Sequence, residues 1–198
     1  MPAELSDRLQ ATDAALAARL ACGDAAALTP LYQRHRAQVY RFALLWSGSA
    51  SVAADVTQDV FVHLLTQADD YAPERGPLKP WLLGIARNFV HRRTGADARY
   101  VANDDDAEPP APAHVDPAPE AALDAQRDLA RLRAAIAALP PHYRDVLVLV
   151  ELAERSYAEA AAICGCELNT VRSRLSRARG LLARWLDAAP ARAHITKG

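Results

Sequence analysis

The stretch from Ser156 to Arg179, SYAEAAAICGCELNTVRSRLSRAR, leaves a chain few ways to fold. Ser156 and Glu159, three positions apart, form a capping box in which each side chain satisfies a free backbone N–H of the other, so a helix starts there. Gly165 is suited to stop it, since glycine takes the left-handed conformation without a Cβ penalty. The helix beyond the turn can be tested at about 100° per residue. Val171, Leu175, Ala178 and Leu182 fall on one narrow stripe. Asn169, Arg172, Ser173, Ser176 and Arg177 face away from it, with Arg174 and Arg179 on the flanks. A helix packed by one face and offering donors on the other is the second element of a helix-turn-helix, which reads the DNA major groove. An arginine-rich helix alone is more often a solvated face. Here the cap, the glycine and the charge argue for DNA: five arginines between Glu167 and Trp185 stand against Glu167 alone, the local surplus that phosphate binding needs.

The remainder of the chain bears on what accompanies that reader. With 198 residues there is room for one large or two small domains. Hydrophobic residues make up 51%, many of them alanine, while glycines number 8 and aromatics reach only 6%; that balance predicts an all-α protein. The formal net charge of −1 conceals a segregation. From Asp97 to Asp124 eight carboxylates face a single cation, Arg99. Residues from about Ala102 to Pro119 are acidic and proline-rich with little to bury, which reads as a semi-extended linker. The expected organisation is two small helical domains, 1–95 and 121–187, joined by a flexible linker over 96–120, with a disordered tail at 188–198.

Three cysteines, Cys22, Cys164 and Cys166, cannot build a disulfide framework. Cys164 and Cys166 flank Gly165 at positions that a helix-turn-helix buries, and a metal or redox site there would lack a nearby histidine. No metal or cofactor is expected. No apolar run is long enough to span a membrane and no signal-peptide core is present, so the expected location is the cytoplasm, without membrane insertion.

In the first segment, helices are expected at about Ala14 to Cys22, Thr29 to Trp46 with Pro30 as first residue, Ser51 to Ala68, and Pro80 to Arg93. Leu31, His35, Val39, Phe42 and Trp46 would form the apolar face of the second, His35 counting as half-buried. In the second segment, helices are expected at Ala121 to Leu139 and His142 to Ala153, ahead of the helix-turn-helix. On the third helix, Val56, Val60 and either His63 or Leu64 face the core. Asp55, Gln58, Asp59 and Val62 share another side. Asp55 and Asp59 are like charges at i, i+4 and repel mildly, a repulsion that a basic partner surface would relieve, although on composition alone a solvated acidic face is the commoner case. Between Asp69 and Arg93, Trp81 and Ile85 have core spacing. Tyr71 and its loop, with Pro73 and Gly76, could present a rim to a single strand, the basic side being supplied by Lys79, Arg87, His91, Arg92 and Arg93; on these residues alone a solvated helix C-terminus with favourable dipole charges is an equal reading.

Together these segments resemble a bacterial sigma factor of the extracytoplasmic-function group. The resemblance runs from about Asp24 to Trp185, outside the linker. Asp55-x-x-Gln58-Asp59-x-Phe61 is similar to the family's core-polymerase-binding helix, which implies contact by Asp55, Gln58, Asp59, Phe61 and Val62 with the basic coiled-coil of the largest polymerase subunit. Pro73-Glu74-Arg75-Gly76 and Trp81-Leu82-x-x-Ile85-Ala86-Arg87-Asn88 resemble the part that melts and reads the −10 element. The implied contacts are Tyr71, Lys79, Arg87, Asn88, His91, Arg92 and Arg93. Leu139-Pro140 and Thr170 to Arg179 resemble the domain that reads the −35 element, implying contacts by Asn169, Thr170, Arg172, Ser173, Arg174, Ser176, Arg177 and Arg179. The resemblance further implies an anti-sigma partner and a linker that threads towards the RNA exit path.

Two residues depart from the family. Glu167 stands where serine or threonine usually caps the recognition helix, and glutamate caps poorly. Asn169 stands where glycine is common, and asparagine can bond adenine bidentately. The expected role is a promoter-specificity subunit without catalytic residues of its own. An ordinary helix-turn-helix regulator would have no use for the Asp55–Phe61 face. An enzyme would need ligand or acid–base spacing that Asp55, Asp59 and the six scattered histidines do not have.

Overall fold

The computed structural model describes residues 11–96 and 124–187. The linker expected at 96–120 and the tail at 188–198 lie outside the described residues, apart from Ala96. Among the described residues all regular structure is helical, and no helix is long and apolar enough to cross a membrane.

The first unit contains α1 (Asp13–Ala21), α2 (Leu28–Ser47), α3 (Ala50–Thr66) and α4 (Leu78–Thr94). Local chemistry sets their ends. Thr12 caps α1 by accepting from the Ala15 N–H at 3.2 Å, and Ser49 caps α3 by accepting from Val52 at 3.4 Å. Both helices that contain an early proline start two residues before it. Pro30 and Pro80 are therefore third in α2 and α4, not first. Their missing N–H groups still fall in the first turn, where no intrahelical acceptor exists. Leu16, Leu31, Phe42, Trp46, Val56, Val60, Leu64, Leu82 and Val90 fill the core. Leu64, rather than His63, takes the inward position on α3. His35 is buried, not half-buried, and its Nε2 lies 2.7 Å from Asp13 Oδ2.

The second unit contains α5 (Asp124–Ala138), α6 (Pro141–Leu147), α7 (Tyr157–Cys164) and α8 (Leu168–Asp187). The single helix expected from His142 to Ala153 is instead α6 followed by a π-turn over Val148–Leu152, where the Ala153 N–H reaches the Val148 carbonyl at 2.8 Å. The capping box at Ser156 and Glu159 forms, and Gly165 ends α7 at φ 64°. On α8 the buried stripe is Val171, Leu175, Ala178 and Leu181. Leu182, expected there, is half-buried. α8 packs against α5 as well as α6, and Arg131 of α5 donates to the Leu186 carbonyl at 3.2 Å.

Every residue from Leu139 to Leu149 is buried. A helix buried all round must be enclosed on more than one side. One side of α6 packs on α8, while its neighbourhood on the other touches α2, and α7 packs on α4. The two units are closed upon each other.

Candidate nucleic-acid interface

Helix α8 carries the exposed donors. Asn169, Arg172, Ser173, Ser176, Arg177 and Arg179 are exposed, and Thr170 and Arg174 are half-buried. Because the opposite stripe is anchored in the core, this face is held outward at a fixed rotation. Arg172 Nη1 donates to Asn169 Oδ1 at 3.3 Å, Arg177 to the Tyr143 hydroxyl at 3.3 Å, and Arg179 pairs with Glu151. These contacts orient long side chains that would otherwise sample many rotamers.

On α3, Asp55, Gln58 and Val62 are exposed, Asp59 is half-buried and Phe61 is buried. The cation that relieves the Asp55–Asp59 repulsion comes from within the chain. Arg93 of α4 reaches Asp59 at 2.6 Å and Asp55 at 3.2 Å. Beside this face lies an open groove of about 810 Å³ whose lining includes Tyr32, Tyr40, Phe61, Val62 and Leu65. Tyr32, Val62 and Leu65 are 41%, 50% and 42% exposed. Sequence reasoning missed Tyr32 and Leu65, although Leu65 stands one turn beyond Val62 and so shares its side.

The residues expected around α4 divide into two groups. Asn88, Arg92 and Arg93 are exposed, and Arg92 lies over the Phe89 ring at 4.5 Å. Tyr71 does not form a rim. It is buried, and its hydroxyl donates to the Gly76 carbonyl at 3.0 Å. Trp81, expected in the core, is half-buried and stacks near Tyr71 with ring centroids 5.5 Å apart. Of the two rings, Trp81 is the less buried. Lys79 is half-buried and close to the second unit. Burial first, then the neighbouring charge of Arg155, hold its ammonium below the usual range against the opposing Glu159 and Glu154.

Arg87 and His91 are not on an open basic face. His91 is 3% exposed, and both side chains meet Asp145 of α6. Arg87 Nε donates to Asp145 Oδ2 at 2.6 Å, His91 Nε2 to Oδ1 at 2.8 Å, and Trp46 Nε1 to Oδ1 at 2.8 Å. An ionised carboxylate only accepts, so His91 carries its proton on Nε2. Burial pushes the Asp145 carboxyl up, but the His91 hydrogen bond and the charges of Arg87 and His91 outweigh it and hold the group below the usual carboxylate range. The adjacent Arg144 lies over the Trp46 ring at 4.5 Å and donates to the carbonyls of Trp46 and Leu139 at 3.4 and 3.0 Å, and also to that of Ala137. Sequence reasoning passed over Asp145. The signal was a charged pair, Arg144-Asp145, beside the apolar run Val146 to Val150.

Between the units lies a cavity of about 550 Å³. Tyr71, Trp81 and Asn88 line one wall, and Ala158, Glu159 and Ile163 of α7 line the other. Cys164 and Cys166 are free. Burial pushes the Cys164 thiol up to about 12, the opposite of an activated thiolate. Among the described residues no three His, Cys, Asp or Glu side chains converge as metal ligands.

Residues 31–100 match the family model for sigma-70 region 2, and residues 129–182 that for sigma-70 region 4. The ECF RNA polymerase sigma factor SigE of Mycolicibacterium smegmatis is 36% identical over 84% of this chain, and the match spans 65% of SigE's own length. SigC of Mycobacterium tuberculosis is 34% identical over 96% of this chain and 97% of its own. The RNA polymerase sigma factor CnrH of Cupriavidus metallidurans is 32% identical over 89% and 95%. A solved structure of CnrH in complex with the cytosolic domain of CnrY superposes with a TM-score of 0.65 at 29% identity, covering 88% of this chain and 97% of that one.

Proposed function

The chain belongs to the extracytoplasmic-function group of RNA polymerase sigma factors, directing promoter-specific initiation, and we propose how its surfaces divide that work. Residues 1–95 engage core polymerase and the −10 element, and residues 121–187 read the −35 element. Catalysis of RNA synthesis stays with the polymerase in the cytoplasm; the chain supplies positioning and strand separation.

The observation that carries this division is the pairing of two outward faces of opposite character. The exposed Arg172, Ser173, Ser176, Arg177 and Arg179 of α8 suit phosphates and base edges. The exposed Asp55, Gln58 and Val62 of α3, beside a groove with exposed Tyr32 and Leu65, suit a protein that is basic with apolar anchors. The coiled-coil of the largest polymerase subunit is the partner proposed for it, with Asp59 and Phe61 completing the site. Lys79, Arg87, Asn88, His91, Arg92 and Arg93 are the proposed −10 contacts. Trp81 takes the aromatic role at the cavity, which the buried Tyr71 supports from behind. An anti-sigma protein is a further proposed partner, by analogy with CnrH, which was solved with the cytosolic domain of CnrY.

Mixing the purified chain with core polymerase and a promoter fragment tests the reading. The chain should co-migrate with core in gel filtration and protect the −10 and −35 positions only when core is present. Site-specific protection by the chain alone, with no core complex, would identify a free-standing DNA-binding regulator instead.

A further inference from the structure

We infer that Asp145 is an internal latch, which keeps the −10-facing helix of the free chain covered by the helix-turn-helix unit until the two units are separated. The inference rests on the proposed assignment of α4 to −10 DNA. Asp145 lies on α6, in the unit proposed to read the −35 element, yet its two oxygens are filled by three donors from the other unit: Trp46, Arg87 and His91. It is 1% exposed. A buried carboxylate without such partners would be costly, so the contact favours a closed chain only while all three donors are in place. Arg144 extends the contact on the same helix turn by lying over the Trp46 ring.

The latch withdraws the residues that DNA would need. Arg87 and His91 are two of the proposed −10 contacts, and in the closed chain they bond a carboxylate where a phosphate would otherwise lie. The first helix of the helix-turn-helix, α7, walls the cavity that Tyr71, Trp81 and Asn88 open on the other side. With α7 in place, one side of that space is occupied by protein rather than open to a strand. The α8 face, by contrast, remains exposed. Closure is therefore asymmetric: it engages Arg87 and His91 on the −10 side and leaves the α8 face exposed.

The test compares the wild-type chain with Asp145→Asn and Trp46→Phe, which remove the acceptor charge and one donor from opposite sides of the contact. X-ray scattering gives compactness. Fluorescence anisotropy gives binding to a labelled pool of random single-stranded oligonucleotides and to a labelled duplex. The expected result is a compact wild type with weak single-strand binding. Both variants should be more expanded and bind single strands at least tenfold more tightly, with duplex binding and helical circular dichroism unchanged. A wild-type chain already expanded in solution overturns the inference, and so do well-folded variants that are as compact and as weak on single strands as wild type. Should Asp145→Asn lose its helical signal, Trp46→Phe and the wild-type scattering decide. Core-dependent transcription is measured in parallel. A closed chain that gives no such transcript refutes the proposed function and spares the latch, whereas an open chain that does give it refutes the latch alone.

Discussion

At the scale of single residues, the helix-turn-helix rests on two local devices whose removal has a definite cost. Ser156 accepts from the Glu159 N–H at 3.2 Å, and the Glu159 carboxylate accepts from the Ser156 N–H at 2.9 Å. Ser156→Ala should lower stability by about 1 kcal/mol, read as a shift in the urea midpoint at constant slope. Gly165 sits at φ 64° with open space where a Cβ would go. Gly165→Ala should therefore cost only the strain of the left-handed conformation, about 1 to 2 kcal/mol. A loss well beyond that would mean a clash that the geometry does not contain. Asn169 stands at the exposed start of α8. Selection on randomised promoters should recover a different −35 motif for Asn169→Gly, whereas Arg179→Ala should weaken all sequences alike. An identical motif for wild type and Asn169→Gly would remove Asn169 from the reading of bases.

At the scale of elements, the part of the fold that was legible in the sequence is the part held by neighbours in sequence. The capping box, the glycine stop and the α8 stripe are set by residues a few positions apart, so spacing alone exposes them. Arg93 shows where this ends. Its partners on α3 lie 34 and 38 positions away, and nothing local distinguishes it from Arg92, which lies over Phe89 instead. The contacts of Asp145 span 54, 58 and 99 positions, beyond any periodicity. The reversal of Tyr71 and Trp81 has another origin: the Tyr71 hydroxyl reaches the Gly76 carbonyl only five positions on, but through an irregular loop whose path no periodicity gives. The Arg93 contact carries a prediction of its own. While it pairs with Asp55 and Asp59 it competes with any basic surface that docks on α3. Arg93→Ala should bind core polymerase several-fold more tightly in the absence of DNA, with a steeper dependence on salt. Unchanged affinity and unchanged salt dependence would mean that Asp55 and Asp59 do not meet the polymerase.

At the scale of the whole molecule, closure and stability are linked through one carboxylate. Asp145 faces Arg87 and His91 on α4, has Arg144 beside it on its own helix and lies near Cys164 on α7. Its carboxyl is held below its ordinary value of 3.8. A group depressed in the folded state stabilises it fully above the unfolded value, and that stabilisation is lost as the pH falls through the folded one. Asp145→Asn should therefore be less stable than wild type at neutral pH, by about 3 kcal/mol, with the gap narrowing below about pH 4. A gap independent of pH would assign the effect to packing rather than charge. The proposed function joins two DNA-reading units and an acidic docking face to a polymerase that this chain does not contain. Run-off transcription with purified chain, core polymerase and a promoter library tests it most directly. Transcripts are expected only when chain and core are both present, starting from templates that share paired −35 and −10 motifs. Transcripts of the same start sites and yield with core alone, or no effect of the chain on core at any promoter, would contradict it.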